Sequence, residues 1–122
     1  MLDGQRLLIA GASSDLASSL VKKLYDGGAV LGLHYSTDAT PLSKYIEDRR
    51  VGKFQKNLDS SEACFQLVDA FANWAGGLDG LIQLVGNISR PVHWEELTYA
   101  DWQYDLSINL VMPFFLVQRA VS

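Results

Sequence analysis

The residues with the clearest chemical potential lie in the run Gly11-Ala-Ser-Ser-Asp15-Leu-Ala17, between a short apolar stretch and a helix-period pattern. Backbone N–H groups at a helix start have no intrahelical partner and favour an anion. A glycine beside them lets the backbone approach a bound group closely, and in doubly wound folds that group is a dinucleotide pyrophosphate. Spacing alone leaves the alternative of a plain strand-to-helix turn open, since only Gly11 of the run is glycine. Asp15 brings a carboxylate to the same place, which opposes an anion unless it caps the helix. A second group of polar residues follows about twenty positions on, where an acid would hold the 2′-hydroxyl of NAD. That place reads Leu33-His34-Tyr35-Ser36-Thr37, with no carboxylate before Asp38. His34, Ser36 and Thr37 are donors suited to a 2′-phosphate, so NADP(H) is favoured over NAD(H), with loose discrimination because no arginine stands in either segment and weak binding because Asp15 opposes the pyrophosphate.

Other candidates carry less. His34 and His93 are too few and too scattered for a catalytic zinc site, so no metal is expected. Cys64 is the single cysteine, which excludes an intrachain disulfide and suits a reducing cytoplasm. It lies on the apolar side of a helical pattern and reads as a core residue. His93 and Trp94 read as loop packing.

The elements that must position these groups are legible from periodicity. Four short apolar runs, near residues 6–10, 29–34, 51–56 and 80–85, read as strands. The first and last are closed by a glycine, Gly11 and Gly86. Helical spacing marks Leu16 to Leu24, with Gly27-Gly28 as a stop, and Cys64 to Ala75, with Asp59 and Glu62 as a capping box and Gly76-Gly77 as a stop. Leu42 to Arg50 reads as a short surface helix. Asp101 to Val121 reads as a last helix, kinked by Pro113. Strands alternating with helices imply a parallel sheet with right-handed crossovers. The expected fold is α/β: a truncated Rossmann fold, three layers α/β/α, with a parallel sheet in the order 3-2-1-4.

The chain has 122 residues, enough for one domain, here residues 1–122. At 48% hydrophobic and 20% charged it has the composition of a globular protein. Ten basic against 14 acidic residues give a net charge of −4. Without a basic cluster, neither nucleic acid nor an anionic membrane is an expected partner. The longest apolar run, Leu110 to Val117, is too short to span a bilayer, and the start lacks the order of a signal peptide.

Four segments in this order resemble the N-terminal half of a short-chain dehydrogenase/reductase, of the kind that reduces 3-oxoacyl carrier protein. Ala10 to Ala17 resembles the family's Thr-Gly-x-x-x-Gly-x-Gly turn, with Asp15 and Ala17 replacing its second and third glycines. Asn57-Leu58 matches an Asp-hydrophobic pair that reads adenine. Asp79 to Gly86 resembles Asp-x-Leu-Val-Asn-Asn-Ala-Gly, with Gln83, Leu84 and Val85 in place of its polar centre. Trp102 to Leu110 resembles the helix that carries a catalytic asparagine, here Asn109. The resemblance implies a cofactor site built from Gly11, Ser13, Ser14, Asp15, Leu16, His34, Ser36, Thr37, Asn57, Leu58, Leu84, Val85 and Gly86.

The same resemblance implies a serine and a Tyr-x-x-x-Lys pair for acid–base work on the substrate carbonyl. Tyrosines stand at 25, 35, 45, 99 and 104, and none has lysine four positions later. The expectation is therefore a cofactor-binding half lacking the catalytic C-terminal half, inactive alone and open to complementation by a second chain. The alternative is a non-enzymatic dimerising or nucleotide-binding module. Residues 101–121 are apolar on two faces, Leu106, Leu110, Phe114, Val117 and Val121 on one, Ile108, Val111, Met112 and Phe115 on the other. That pattern predicts a homodimer or higher oligomer through this helix.

Overall fold

The structure, a computed structural model, describes residues 2–85 and 94–121. Strand β1 (Arg6–Ala10) leads into helix α1 (Asp15–Asp26), and β2 (Val30–Tyr35) is followed by β3 (Val51–Gln55), α2 (Ser61–Ala75) and β4 (Gly80–Gln83). All four strands are parallel, in the order β3-β2-β1-β4, as expected from sequence. The register pairs Leu8 with Gly32 on one side and with Leu81 on the other.

Alternation along the strands sends successive side chains to opposite layers. Ile9, Leu31, Leu33 and Val51 pack with Ala17 and Val21 of α1. Leu8 and Ala10 face the other way, onto Cys64, Leu67, Val68 and Phe71 of α2. Full burial of a leucine or phenylalanine contributes about 1.5–3 kcal/mol, so side chains such as Phe71 and Leu116, both 0% exposed, anchor this layer. Arg6 ties β1 to the start of β4: its Nε lies 2.9 Å from Asp79 Oδ2 and its Nη1 donates to Gly76 O at 2.7 Å. Asp79 thus fixes a strand rather than performing chemistry, and Arg6 holds its carboxyl down at a pKa of about 2.

Four local readings need correction. Residues 42–50 form no helix: a 3-10 turn at Thr40–Leu42 gives way to irregular chain. Asp48 accepts from the Arg50 amide at 2.7 Å and from Tyr25 Oη at 2.9 Å, local bonds that compete with a helical ladder. Helix α2 is capped by Ser60, whose hydroxyl accepts from the Ala63 amide, one residue after Asp59. Asp15 is the first residue of α1 rather than its cap; Ser14 holds the cap position without a side-chain bond.

The last helix is two helices. After a 3-10 turn at Trp94–Glu96, α3 (Tyr99–Leu106) opens on a capping box between Thr98 and Asp101. A π-turn over Ser107–Val111 then leads into α4 (Met112–Ala120). Pro113 explains the wide turn: it has no N–H to give, and its ring crowds the carbonyl four residues back, that of Asn109. Met112 and Leu116 are buried against α2, while Leu110, Phe114 and Val117 are exposed. Phe115 is half-buried, edge-on to Phe65 of α2. Among the described residues no helix is long and apolar enough to cross a membrane.

Candidate functional site

The carboxyl ends of β1, β2 and β4 meet around a cleft of about 370 Å³. Strand order reverses here, since β2 leaves β1 to one side and β4 lies on the other. That is where open parallel sheets bind ligands. Gly11, Ser13 and Ser14 supply one wall, His34, Tyr35 and Ser36 a second, and Leu84 with Val85 a third. Tyr104 of α3 and Ile108 of the π-turn close the fourth.

The turn after β1 is shaped by close approach. Gly11 has φ +83°, and a Cβ there would lie 2.8 Å from the backbone of Leu84 and Val85. Only glycine meets both demands. The Gly11 amide donates to His34 Nδ1 at 2.9 Å, and the Ala12 amide to His34 O at 2.9 Å. The amides of Ser13, Asp15 and Leu16 take no backbone acceptor among the described residues. Ser14 Oγ is buried and also without a partner among them. Three open amides and an orphaned hydroxyl at a helix start suit a phosphate oxygen. The exposed Asp15 carboxylate, at the first helical position, opposes one.

His34 takes a different place from the one read in the sequence. It is 1% exposed, and both ring nitrogens are engaged, Nε2 lying 2.9 Å from Lys56 O. Gly11 can only donate, so Nδ1 is the acceptor and Nε2 carries the proton. Burial pushes the imidazole pKa below its usual value, with the Lys56 carbonyl pulling weakly the other way. A ring so committed is part of the cleft floor, leaving Ser36 and the exposed Thr37 as the donors at the end of β2.

The remaining sequence candidates scatter. Leu16 is 68% exposed, on the outer side of the turn. Asn57 lines a separate polar cleft with Lys56 and Ser60, beyond β3, and Leu58 is buried in the α2 layer. Asn109 sits in the π-turn, where Nδ2 donates to Asp105 O at 2.9 Å. Gly86 and His93 lie outside the described residues. Tyr35, Tyr104 and Ile108 were not among the sequence candidates. Tyr104 and Ile108 stand four positions apart, the spacing of neighbours on one helix face, which was the available signal. Cys64 is buried and pushed up to about 11, an inert thiol. A second depression, about 380 Å³, lies between Tyr25 of α1 and Tyr45. Its charged groups are engaged, Lys22 with Asp26, Asp48 with Tyr25 and Lys44 with the Ser18 hydroxyl, so nothing in it converges on a ligand. No group of three or more potential metal ligands occurs among the described residues.

No protein-family model matches the chain. Individual relatives do. The short chain dehydrogenase ausX of Emericella nidulans is 28% identical over 119 residues, which cover 96% of this chain and 59% of that protein. Nodulation protein G of a Rhizobium species is 28% identical over 120 residues, covering 97% of this chain and 48% of that protein. This chain is a homologue of the short-chain dehydrogenases. The homologue spans about half the length of the curated relatives it matches. Among solved structures, a short chain dehydrogenase of Burkholderia cenocepacia, in complex with NADP, has a TM-score of 0.90 at 26% identity, over 98% of this chain and 51% of that one. An NADH-dependent reductase of alginate metabolism shares the fold at a TM-score of 0.85 and 24% identity, over 98% of this chain and 51% of its own.

Proposed function

We propose that this chain is the NADP(H)-binding half of an oxidoreductase of the short-chain dehydrogenase/reductase type. The observation that carries the reading is the cleft at the strand-order reversal, walled by a glycine turn with open amides at Ser13, Asp15 and Leu16. Those amides and Ser14 Oγ would hold the pyrophosphate, with Leu84 and Val85 against the ribose side. Ser36 and Thr37 would meet a 2′-phosphate. The first acid after β2 is otherwise engaged: Asp38 Oδ1 accepts from the Thr40 amide at 2.9 Å. A bound nicotinamide supplies hydride; what these residues supply is binding and orientation.

Protonating a substrate carbonyl needs an acid that these 122 residues do not set in the family's Tyr-x-x-x-Lys spacing. We therefore read the chain as inactive by itself, completed by a catalytic C-terminal half or a complementing chain. The test is calorimetric titration with NADPH and NADH at pH 7.5. Tighter NADPH binding supports the reading, tighter NADH binding reverses the preference, and binding of neither refutes it. A second reading, a dimerising module, draws on the exposed stripe Leu110, Phe114 and Val117 beside the outer edge of β4. Two copies joined across residues 101–121 would cover that stripe.

A further inference from the structure

One residue laces together the carboxyl ends of β1, β2 and β3, under the floor of the cleft. His34 Nδ1 accepts from Gly11 N at 2.9 Å, its own carbonyl accepts from Ala12 N at 2.9 Å, and Nε2–H donates to Lys56 O at 2.9 Å. Two consecutive amides of the glycine turn are thus held by one residue of β2, which in turn is held by the chain leaving β3. The shape of the turn, which leaves the amides of Ser13, Asp15 and Leu16 open, depends on that anchor.

The anchor works in one protonation state only. A neutral imidazole with its proton on Nε2 offers one acceptor and one donor, the pair this site needs. A second proton, on Nδ1, would set donor against donor at the Gly11 amide. The surroundings offer that imidazolium little. Gly11 and Ala12 present backbone amides from the turn, and the β4 end presents Leu84 and Val85. From beyond β3 comes Lys56, whose ammonium is bonded to Gln66 Oε1 at 2.6 Å. Tyr35 and Tyr104 are the other titratable groups on the cleft wall, and no carboxylate lines it among the described residues. The nearest in sequence, Asp38, is exposed and accepts from the Thr40 amide, and Asp15 lies exposed at the start of α1. The ring is 1% exposed, so water does not take the carboxylate's place.

We propose that His34 is the positioning residue of the cofactor cleft: as a neutral Nε2–H imidazole it fixes the glycine turn, and its protonation in acid solution releases the turn and weakens cofactor binding. The second clause rests on the cofactor reading above; the first does not. Burial lowers the pKa of His34 from 6.5, so the anchor is fully in place above about pH 6.5 and is lost as pH falls through the lower folded value. Below that value the affinity for a ligand that needs the anchored turn falls about tenfold per pH unit, because the competent fraction falls so.

Two measurements separate the clauses. The first uses the ligand-free chain, labelled with ¹⁵N and titrated from pH 8 to 5 by NMR. His34 should show an unprotonated Nδ1 and a protonated Nε2 at neutral pH, and the Gly11 amide should shift with the midpoint of His34. A proton on Nδ1 at pH 7.5, or a Gly11 amide indifferent to that midpoint, overturns the positioning role. The second is NADP⁺ binding by calorimetry across the same range, for the native chain, His34→Asn and His34→Leu. Asparagine keeps an acceptor near the Nδ1 position and does not titrate. It should bind within about threefold of the native chain at pH 7.5 and lose less affinity in acid, retaining only the ligand's own titration. His34→Leu should bind weakly throughout. Parallel loss in the native chain and His34→Asn overturns the link to binding. Absence of NADP⁺ binding at pH 7.5 in all three sinks the cofactor reading itself, while the NMR titration still decides the positioning role.

Discussion

Two glycines with the same backbone angle allow the shape of the cleft to be weighed. Gly11 has φ +83° and Gly76, which ends α2, has φ +82°. An alanine at either pays the left-handed penalty, about 1–2 kcal/mol. The surroundings differ. At Gly76 a Cβ meets nothing within 4 Å, whereas at Gly11 it meets the Leu84 carbonyl carbon and the Val85 nitrogen at 2.8 Å. Those atoms are backbone at the end of β4 and cannot swing aside like a side chain. The Leu84 amide is moreover bonded to Ala10 O at 2.8 Å. Forcing a methyl into a packed site typically adds about 1–3 kcal/mol. Gly76→Ala should therefore destabilise by about 1–2 kcal/mol, and Gly11→Ala by about 2–5 kcal/mol on the same two principles. Urea unfolding at fixed protein concentration gives both values. NADPH titration should separate them further, with affinity reduced in Gly11→Ala and unchanged in Gly76→Ala. Equal destabilisation by the two alanines would refute the claim that β4 closes on the turn.

Replacing the acid at the start of α1, Asp15→Gly, should raise NADPH affinity several-fold in calorimetry; unchanged affinity would mean that the carboxylate stays clear of the anion. Leu110→Glu, at a position 63% exposed, should yield a folded monomer if residues 101–121 pair, read by sizing with light scattering. Native chain that is already monomeric at high concentration refutes the pairing. Phe115 is the wrong probe, since its ring packs on Phe65. Asp79, with a pKa lowered from 3.8 to about 2, contributes stability that is present above pH 3.8 and fades as pH falls toward 2. Asp79→Asn should lose that pH dependence in acid unfolding monitored by circular dichroism. Incubation with NADPH and a panel of ketones should show no steady oxidation, and turnover abolished by Asn109→Ala would overturn the reading of inactivity.

The sheet was legible because its signals are local. Four short apolar runs, two of them closed by a glycine, marked the strands to within a residue or two, and crossover handedness left few orders for them. Helix α2 was equally clear, with its cap displaced by one because Ser60 and Asp59 are both competent cap residues. The segment 42–50 was misread because its conformation is set by partners far along the chain. Arg50 reaches back to Tyr25 O at 3.1 Å, and Leu42 is buried against the α1 layer. His34 was misread for the same reason. A histidine ending a strand reads as a surface donor, and only the meeting of residues 11, 34 and 56 turns it inward. Tyr104 escaped notice because it matches no motif, and only the packing of α3 over the strand ends brings it to the cleft.

That π-turn also fixes something about length. Met112 N bonds back five residues to Ser107 O rather than four. Each residue of a helix contributes about 100° of rotation, so the added residue sets the phase between α3 and α4. With it, Met112 and Leu116 fall on α2 while Tyr104 and Ile108 reach the cleft. Loss of one residue anywhere in 107–111 would turn one rod against the other by about 100°. Either the core would receive Val117 in place of Leu116, or the cleft would lose its fourth wall. A point substitution in this segment disturbs one contact, whereas a one-residue deletion exchanges a whole face. The segment is therefore a spacer whose tolerance is to composition and not to count.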